Sequence, residues 1–220
     1  SLGEYSALSA AGVFDPETAI QVVRERGLAM EKAAEGVESA MMAILGLERE
    51  PLLDICVGCD GYVSIANYNC PGQLVIAGEK KAVEEAGQKA LDHGARRAVP
   101  LNTSGPFHTK LLKDASTRLH EVFKDVTFHE MNVPVIFNCT GKELEDCSVQ
   151  EMLEKQVMSP VYFEDSIRTM INNGVDTIIE IGPGKVLSSF VRKIDRKIKT
   201  YQVEDMASLQ KCVEAFNETK

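Results

Sequence analysis

The sequence predicts an α/β chain in which a large domain is interrupted by a small α+β domain, and three observations carry that prediction. Helical texture fills residues 1–37 and returns after Pro106. Between residues 38 and 104 it gives way to short β-rich runs and helices in the order β-α-β-β-α-β. Residues 176–181 then form an apolar run closed by Gly182-Pro183-Gly184, the kind of strand that a parallel sheet buries on both faces.

Taken in order, residues 2–11 read as a helix stopped by Gly12, the usual residue just past a helix end. Asp15-Pro16-Glu17 offers an N-cap, a proline at the first helical position and an early acid, which start a second helix through about residue 34. Ala19, Ile20, Val23, Leu28 and Met30 roughly keep helical spacing on it. Arg26 lies on the same helix and, taken alone, reads as a solvated arginine in an i,i+4 contact.

The middle stretch gives a strand at 41–47, a helix at 49–58, two strands at 62–67 and 73–78 around a Pro71-Gly72 turn, a helix at 80–93 and a strand at 95–101. That order matches a ferredoxin-like unit. It sets the expected division: residues 1–37 and 105–220 form the large α/β domain, and 38–104 the inserted small one. Later elements are a helix at 109–124, a β-rich run at 133–138, helices at 149–157 and 164–173, and the strand at 176–181. A helix at 185–194, a strand near 198–203 and a helix from 206 close the chain. No internal repeat or low-complexity linker is present.

With 220 residues the chain can bury a proper core, and 44% hydrophobic with 26% charged residues is ordinary for a soluble globular protein. No apolar run approaches the roughly 18 to 20 residues that span a membrane. A net charge of −9 argues against nucleic-acid binding, which leaves a basic footprint. Six cysteines are scattered along the chain, and Cys56-Val57-Gly58-Cys59 has no second pair to complete a zinc site. Reduced structural thiols, no metal and a cytoplasmic home are therefore expected.

Ser1-Leu2-Gly3-Glu4-Tyr5 carries the chemistry. A serine that leads directly into a glycine-containing helix is the downstream half of a nucleophile elbow. The unpaired amides of Leu2 and its neighbours, with the helix dipole, would face an oxyanion formed on a substrate carbonyl. The same residues also fit a simple N-cap, since serine is a preferred capping residue. No strand precedes Ser1 and no initiator Met is present, so the chain is expected to be the back part of a longer protein.

Five motifs follow one another in a fixed order. They are Ser1-Leu2-Gly3-Glu4-Tyr5-Ser6-Ala7-Leu8; Arg26-Gly27 with Met30; Asn67-Tyr68-Asn69-Cys70-Pro71-Gly72-Gln73 with Val75-Ile76-Ala77-Gly78; Gly105-Pro106-Phe107-His108; and Glu180-Ile181-Gly182-Pro183-Gly184-Lys185. Over nearly all its length the chain resembles the malonyl-CoA:acyl carrier protein transacylases of bacterial fatty acid synthesis. The resemblance implies a hydrolase-like parallel-sheet domain with the ferredoxin-like insert. It makes Ser1 the nucleophile and His108, otherwise readable as a structural histidine, the general base. The main-chain carbonyl of Gln156 takes the orienting place that an acid holds in other triads, and Leu2 supplies an oxyanion donor.

By the same resemblance Arg26 grips the free carboxylate of the malonyl group through two parallel hydrogen bonds, and Phe107 crowds an α-methyl branch. Asn67, Asn69 and Gln73 are assigned to the pantetheine or the carrier protein, although their turn chemistry is sufficient reason for them. Malonyl-CoA and acyl carrier protein are the implied partners of a ping-pong acyltransferase. No cofactor is needed, because the CoA thioester and the phosphopantetheine arm are themselves substrates, and the enzyme is expected to be a monomer.

The carrier protein is acidic, so a local basic patch must receive it: Arg96 and Arg97, Lys110 and Lys113, or the run Lys185, Arg192, Lys193, Arg196, Lys197 and Lys199. The family's N-terminal glycine- and glutamine-containing loop, half of its oxyanion hole, has no counterpart in this sequence. Three other readings stay open: an N-terminal-nucleophile hydrolase using the Ser1 amine, a serine–aspartate acyl hydrolase, and an inactive fragment.

Overall fold

The computed structural model describes residues 1–217. Helix α1 (Gly3–Ala10) leads into α2 (Pro16–Ala34), whose Asp15 N-cap accepts from the Thr18 N–H at 2.8 Å. Helix α2 packs on α1 and on α5 (Lys113–Phe123), which follows a 3-10 turn at Lys110–Leu112, and α5 packs in turn on α6 (Val149–Gln156). Tyr5, Leu8, Val22, Met30, Leu119, Phe123 and Leu153 fill that core. A Ser148/Glu151 capping box fixes where α6 starts, and therefore where its last residue, Gln156, arrives.

Between α2 and α5 lie β1 (Ser39–Leu45), α3 (Arg49–Val57), β2 (Val63–Cys70), β3 (Gln73–Glu79), α4 (Lys80–Asp92) and β4 (Arg97–Leu101). The four strands form an antiparallel sheet in the order β2-β3-β1-β4, the arrangement that the β-α-β-β-α-β order predicts. One face carries Ile44, Ile65, Leu74 and Ile76 against α3 and α4. Small residues on α4, Ala82, Ala86 and Ala90, let that helix lie close. The opposite face presents Met41, Ala66, Val75 and Ala77, with Phe107 packed on them.

A short segment after α6 ties this sheet down. Val161 accepts from the Tyr68 N–H and donates to the Ala66 carbonyl, both at 2.8 Å, beside a bulge in β2. Arg49 holds Asp165 through two hydrogen bonds of 3.2 and 3.0 Å and lies over the Tyr68 ring, which itself stacks on Tyr162. The chain forms two compact units, Ser1–Ser166 and the residues from Ile167 on. The sheet falls wholly within the first unit, so this division is drawn elsewhere than the insert boundaries at 38 and 104.

Helix α7 (Phe163–Asn172) spans the unit boundary in sequence. The second unit pairs β5 (Thr177–Ile181) in parallel with β6 (Lys199–Val203), and adds α8 (Val186–Ile194) and α9 (Met206–Asn217). The apolar run at 176–181 is not buried on both faces as expected: Ile181 is 83% exposed. Among the described residues β5 has only β6 for a neighbour, which leaves one edge and part of its faces uncovered. The β-rich run at 133–138 forms no strand either. Val135 and Phe137 point into the helical core, and Phe137 makes only an isolated bridge to Lys142.

Candidate active site

Ser1 stands, exposed, just before the first turn of α1, and three elements of the first unit converge on it. Its hydroxyl is 2.9 Å from His108 Nε2. The other ring nitrogen, Nδ1, is 3.1 Å from the main-chain carbonyl of Gln156. A carbonyl can only accept, so Nδ1 carries the proton and Nε2 is free to take one from Ser1 Oγ. His108 is buried, and burial, reinforced by the positive charge of Arg26, lowers its pKa to about 4. The ring is therefore a neutral base at neutral pH.

The loop that presents His108 is tightly specified. Gly105 approaches α2 so closely that a Cβ there would sit 2.5 Å from the Ala34 Cβ. Thr109 Oγ1 donates to the Pro106 carbonyl at 2.7 Å, closing a turn around the histidine. His108 itself has φ +62°, a left-handed conformation uncommon outside glycine. The Gly105-to-His108 motif thus has a backbone reason as well as a chemical one.

Arg26 arrives from the middle of α2. Its Nη2 donates to Ser1 Oγ at 3.0 Å and its guanidinium lies 5.5 Å from the Tyr5 ring centroid. The solvated reading of this residue fails: it is 7% exposed, and among the described residues no carboxylate lies within ion-pair distance. Nε, also buried, has no partner. Burying an unpaired cation is costly, and an anionic ligand on Ser1's side of the guanidinium would offset that cost. Burial lowers the pKa of Arg26 from its ordinary value.

The remaining sequence-predicted residues are placed less directly. Leu2 is the N-cap of α1, with helical backbone angles and no side-chain cap. Phe107 packs on both the helical core and the small sheet. Asn67 pairs with Val75 and so shares the face that Phe107 covers. Asn69 lies at the second bulge of β2, and Gln73 opens β3 opposite Cys70. Neither Asn67 nor Asn69 makes a side-chain hydrogen bond among the described residues. All six cysteines are free thiols, and burial pushes Cys56 up to about 12.

The Glu180 motif lies in the second unit and has a structural explanation. The Glu180 carboxylate accepts from the Leu187 and Ser188 N–H groups at 3.1 and 2.8 Å, and so caps the start of α8.

Sequence reasoning missed two contributions. Glu4 was given no role of its own; it is 6% exposed and accepts from the Asn138 N–H at 2.6 Å. Gln156 was assigned for its carbonyl alone, yet its wholly buried side chain donates to the Ser1 carbonyl at 3.0 Å. The one sequence signal for Glu4 was its place inside the serine motif.

This constellation of serine, neutral histidine, orienting carbonyl and unpaired arginine is fitted to acyl transfer onto a serine. The acyl transferase domain family matches residues 1–220. The chain belongs to that family. A malonyl CoA-acyl carrier protein transacylase of Bacillus subtilis is 45% identical over 222 residues, covering 99% of this chain and 70% of the relative. The crystal structure of the same enzyme from Clostridium perfringens superposes with a TM-score of 0.94 at 40% identity, covering 99% of this chain and 69% of that one. A complex of a type II PKS acyl-carrier protein with its malonyl-transacylase aligns with a TM-score of 0.92 at 37% identity, over 96% of this chain and 70% of that one. Membership of the acyl transferase family gives Ser1 and His108 a chemical reason for their contact.

Proposed function

We propose that this acyltransferase moves a malonyl group from malonyl-CoA to the phosphopantetheine thiol of acyl carrier protein through a malonyl ester on Ser1. The observation that carries the reading is the Gln156 O to His108 to Ser1 relay with Arg26 on the same hydroxyl. Ser1 Oγ attacks the thioester carbonyl while His108 Nε2 takes its proton. The tetrahedral oxyanion collapses, the C–S bond breaks, and the CoA sulfur leaves with that proton. The carrier thiol then gives its proton to His108 and attacks the ester, and Ser1 Oγ recovers the proton as the malonyl thioester departs.

In this reading the main-chain N–H of Leu2 donates to the oxyanion. Arg26 pairs with the malonyl carboxylate and so turns the thioester toward Ser1; an acetyl group would leave the guanidinium unpaired. Phe107, fixed against two layers, narrows the space for an α-branch. Asn67, Asn69 and Gln73 line the approach of the pantetheine arm, and residues 38–104 act as an insert in a large domain of residues 1–37 and 105–220. The carrier protein docks through Lys110 or the 185–199 basic run. The working unit is a monomer, since one chain supplies every group of the relay. Six free thiols fit a reducing cytoplasm, and no described helix is long and apolar enough to cross a membrane.

Intact mass after mixing with malonyl-CoA tests the proposal. A malonyl-sized increment that Ser1→Ala abolishes and that carrier-protein thiol removes is the expected result. An increment that survives Ser1→Ala, or that only water removes, overturns it.

A further inference from the structure

The contact between Ser1 and His108 depends on a side chain the reaction itself does not use. Gln156, the last residue of α6, touches both members of the pair: its main-chain oxygen accepts from His108 Nδ1, and its side-chain Nε2 donates to the Ser1 carbonyl. Ser1 and His108 are far apart in sequence, so one residue sets the separation of nucleophile and base. Beside it, Glu4 hangs from the first turn of α1 with Oε2 on the Asn138 N–H.

Two buried acceptors in this cluster, Glu4 Oε1 and Gln156 Oε1, have no hydrogen-bond partner. Two buried acceptors without a donor make an unfavourable arrangement. A proton on Glu4 supplies the missing donor and removes a buried charge. Burial indeed raises the Glu4 carboxyl to about 7, against the opposing pull of hydrogen bonds from Asn138 and Gln156. The other titratable or charged groups that sense Glu4 are Tyr5, Arg26 and Cys139.

We propose that the Gln156 side chain and a neutral Glu4 form a positioning pair that holds the Ser1 main chain, and through it aligns Oγ on His108 Nε2. This deepens the acyl-transfer reading and rests on it for the identity of the nucleophile. The pair touches no substrate; it acts through Ser1. Misplacing a reacting group by about 1 Å costs on the order of 100-fold in rate, and that is the effect such a pair prevents.

The test is the rate at which a fluorophosphonate labels Ser1 in the full chain, followed by intact mass across pH, beside kcat and KM for malonyl transfer. Gln156→Ala keeps the main-chain carbonyl on His108 and removes only the amide. It is expected to lower labelling and kcat about 10- to 100-fold with KM for malonyl-CoA changed by less than about threefold. Gln156→Met, which fills the space without the amide, carries the same expectation if the alanine variant unfolds. Glu4→Ala should lose a comparable factor, and Glu4→Gln, a neutral isostere, should recover most of it at every pH. Wild-type labelling and turnover in folded Gln156→Ala or Gln156→Met overturns the proposal, and so does a Glu4→Gln variant no better than Glu4→Ala. Labelling of wild-type Ser1 without transfer to a carrier thiol counts against malonyl transfer alone, and the labelling comparison still decides the role of the pair.

Discussion

Replacing Arg26 with alanine separates what the fold needs from what the substrate needs. In the free protein the guanidinium is buried, holds one hydrogen bond to Ser1 Oγ, leaves Nε unpartnered and meets no carboxylate within ion-pair distance among the described residues. It is an unpaired buried cation, and its loss should leave the melting temperature unchanged or higher. Bound malonate changes the balance. Truncating one partner of a buried, hydrogen-bonded charge pair costs about 2 to 5 kcal/mol, and each 1.4 kcal/mol is tenfold, so kcat/KM for malonyl-CoA should fall by roughly 30- to 4,000-fold. Acetyl-CoA has no carboxylate to lose and should fall far less, or improve. Steady-state kinetics with both thioesters, beside a thermal melt, reads all three quantities. Equal losses for malonyl and acetyl substrates would refute the carboxylate role, and a collapse in melting temperature would show that Arg26 serves the fold.

Three further outcomes follow from the geometry. His108 titrates low, so the acid limb of kcat/KM should have a midpoint near 4 instead of the ordinary 6.5; a limb near 6.5 would mean that the ring is solvated. The same depression makes stability fall as pH drops from about 6.5 to 4, since only the unfolded histidine takes up a proton there, by at most about 3 kcal/mol. Glu4 has the opposite sign: its raised folded pKa favours the fold below about 4.5, and that contribution is lost as pH rises through 7. Glu4→Gln should therefore stabilise by about 3 kcal/mol in chemical denaturation at pH 8.5 and by little at pH 4, and a pH-independent difference would contradict the assignment. Gly78→Ala should cost about 2 to 3 kcal/mol or more, because its Cβ would collide with the Tyr62 carbonyl across the β2–β3 pair; a thermal melt unchanged from wild type would show that the strands can shift.

Much of this was legible in local sequence. Asp15-Pro16 fixed the start of α2 because a cap and a first-turn proline act within four residues. The β-α-β-β-α-β order implied the sheet order, since few topologies connect such elements without crossing. Local pattern failed where burial depends on what lies opposite. Val133 to Asn138 has strand-like residues and, among the described residues, no strand to pair with, so Val135 and Phe137 serve a helical core. Thr177–Ile181 carries three isoleucines, but how much of each is covered depends on its neighbours in space.

By itself the sequence determined the elements and the small sheet, because capping and periodicity are properties of adjacent residues, and its resemblance to a known family named Ser1, His108 and Arg26 as the residues to examine. Only the tertiary structure decided that Arg26 is buried and unpaired, that His108 holds a left-handed backbone with its ring neutral, and that Gln156 and Glu4 stand behind Ser1. Protonation and hydrogen-bond pairing depend on desolvation and on partners up to 155 residues away. Those quantities exist only after the chain has folded.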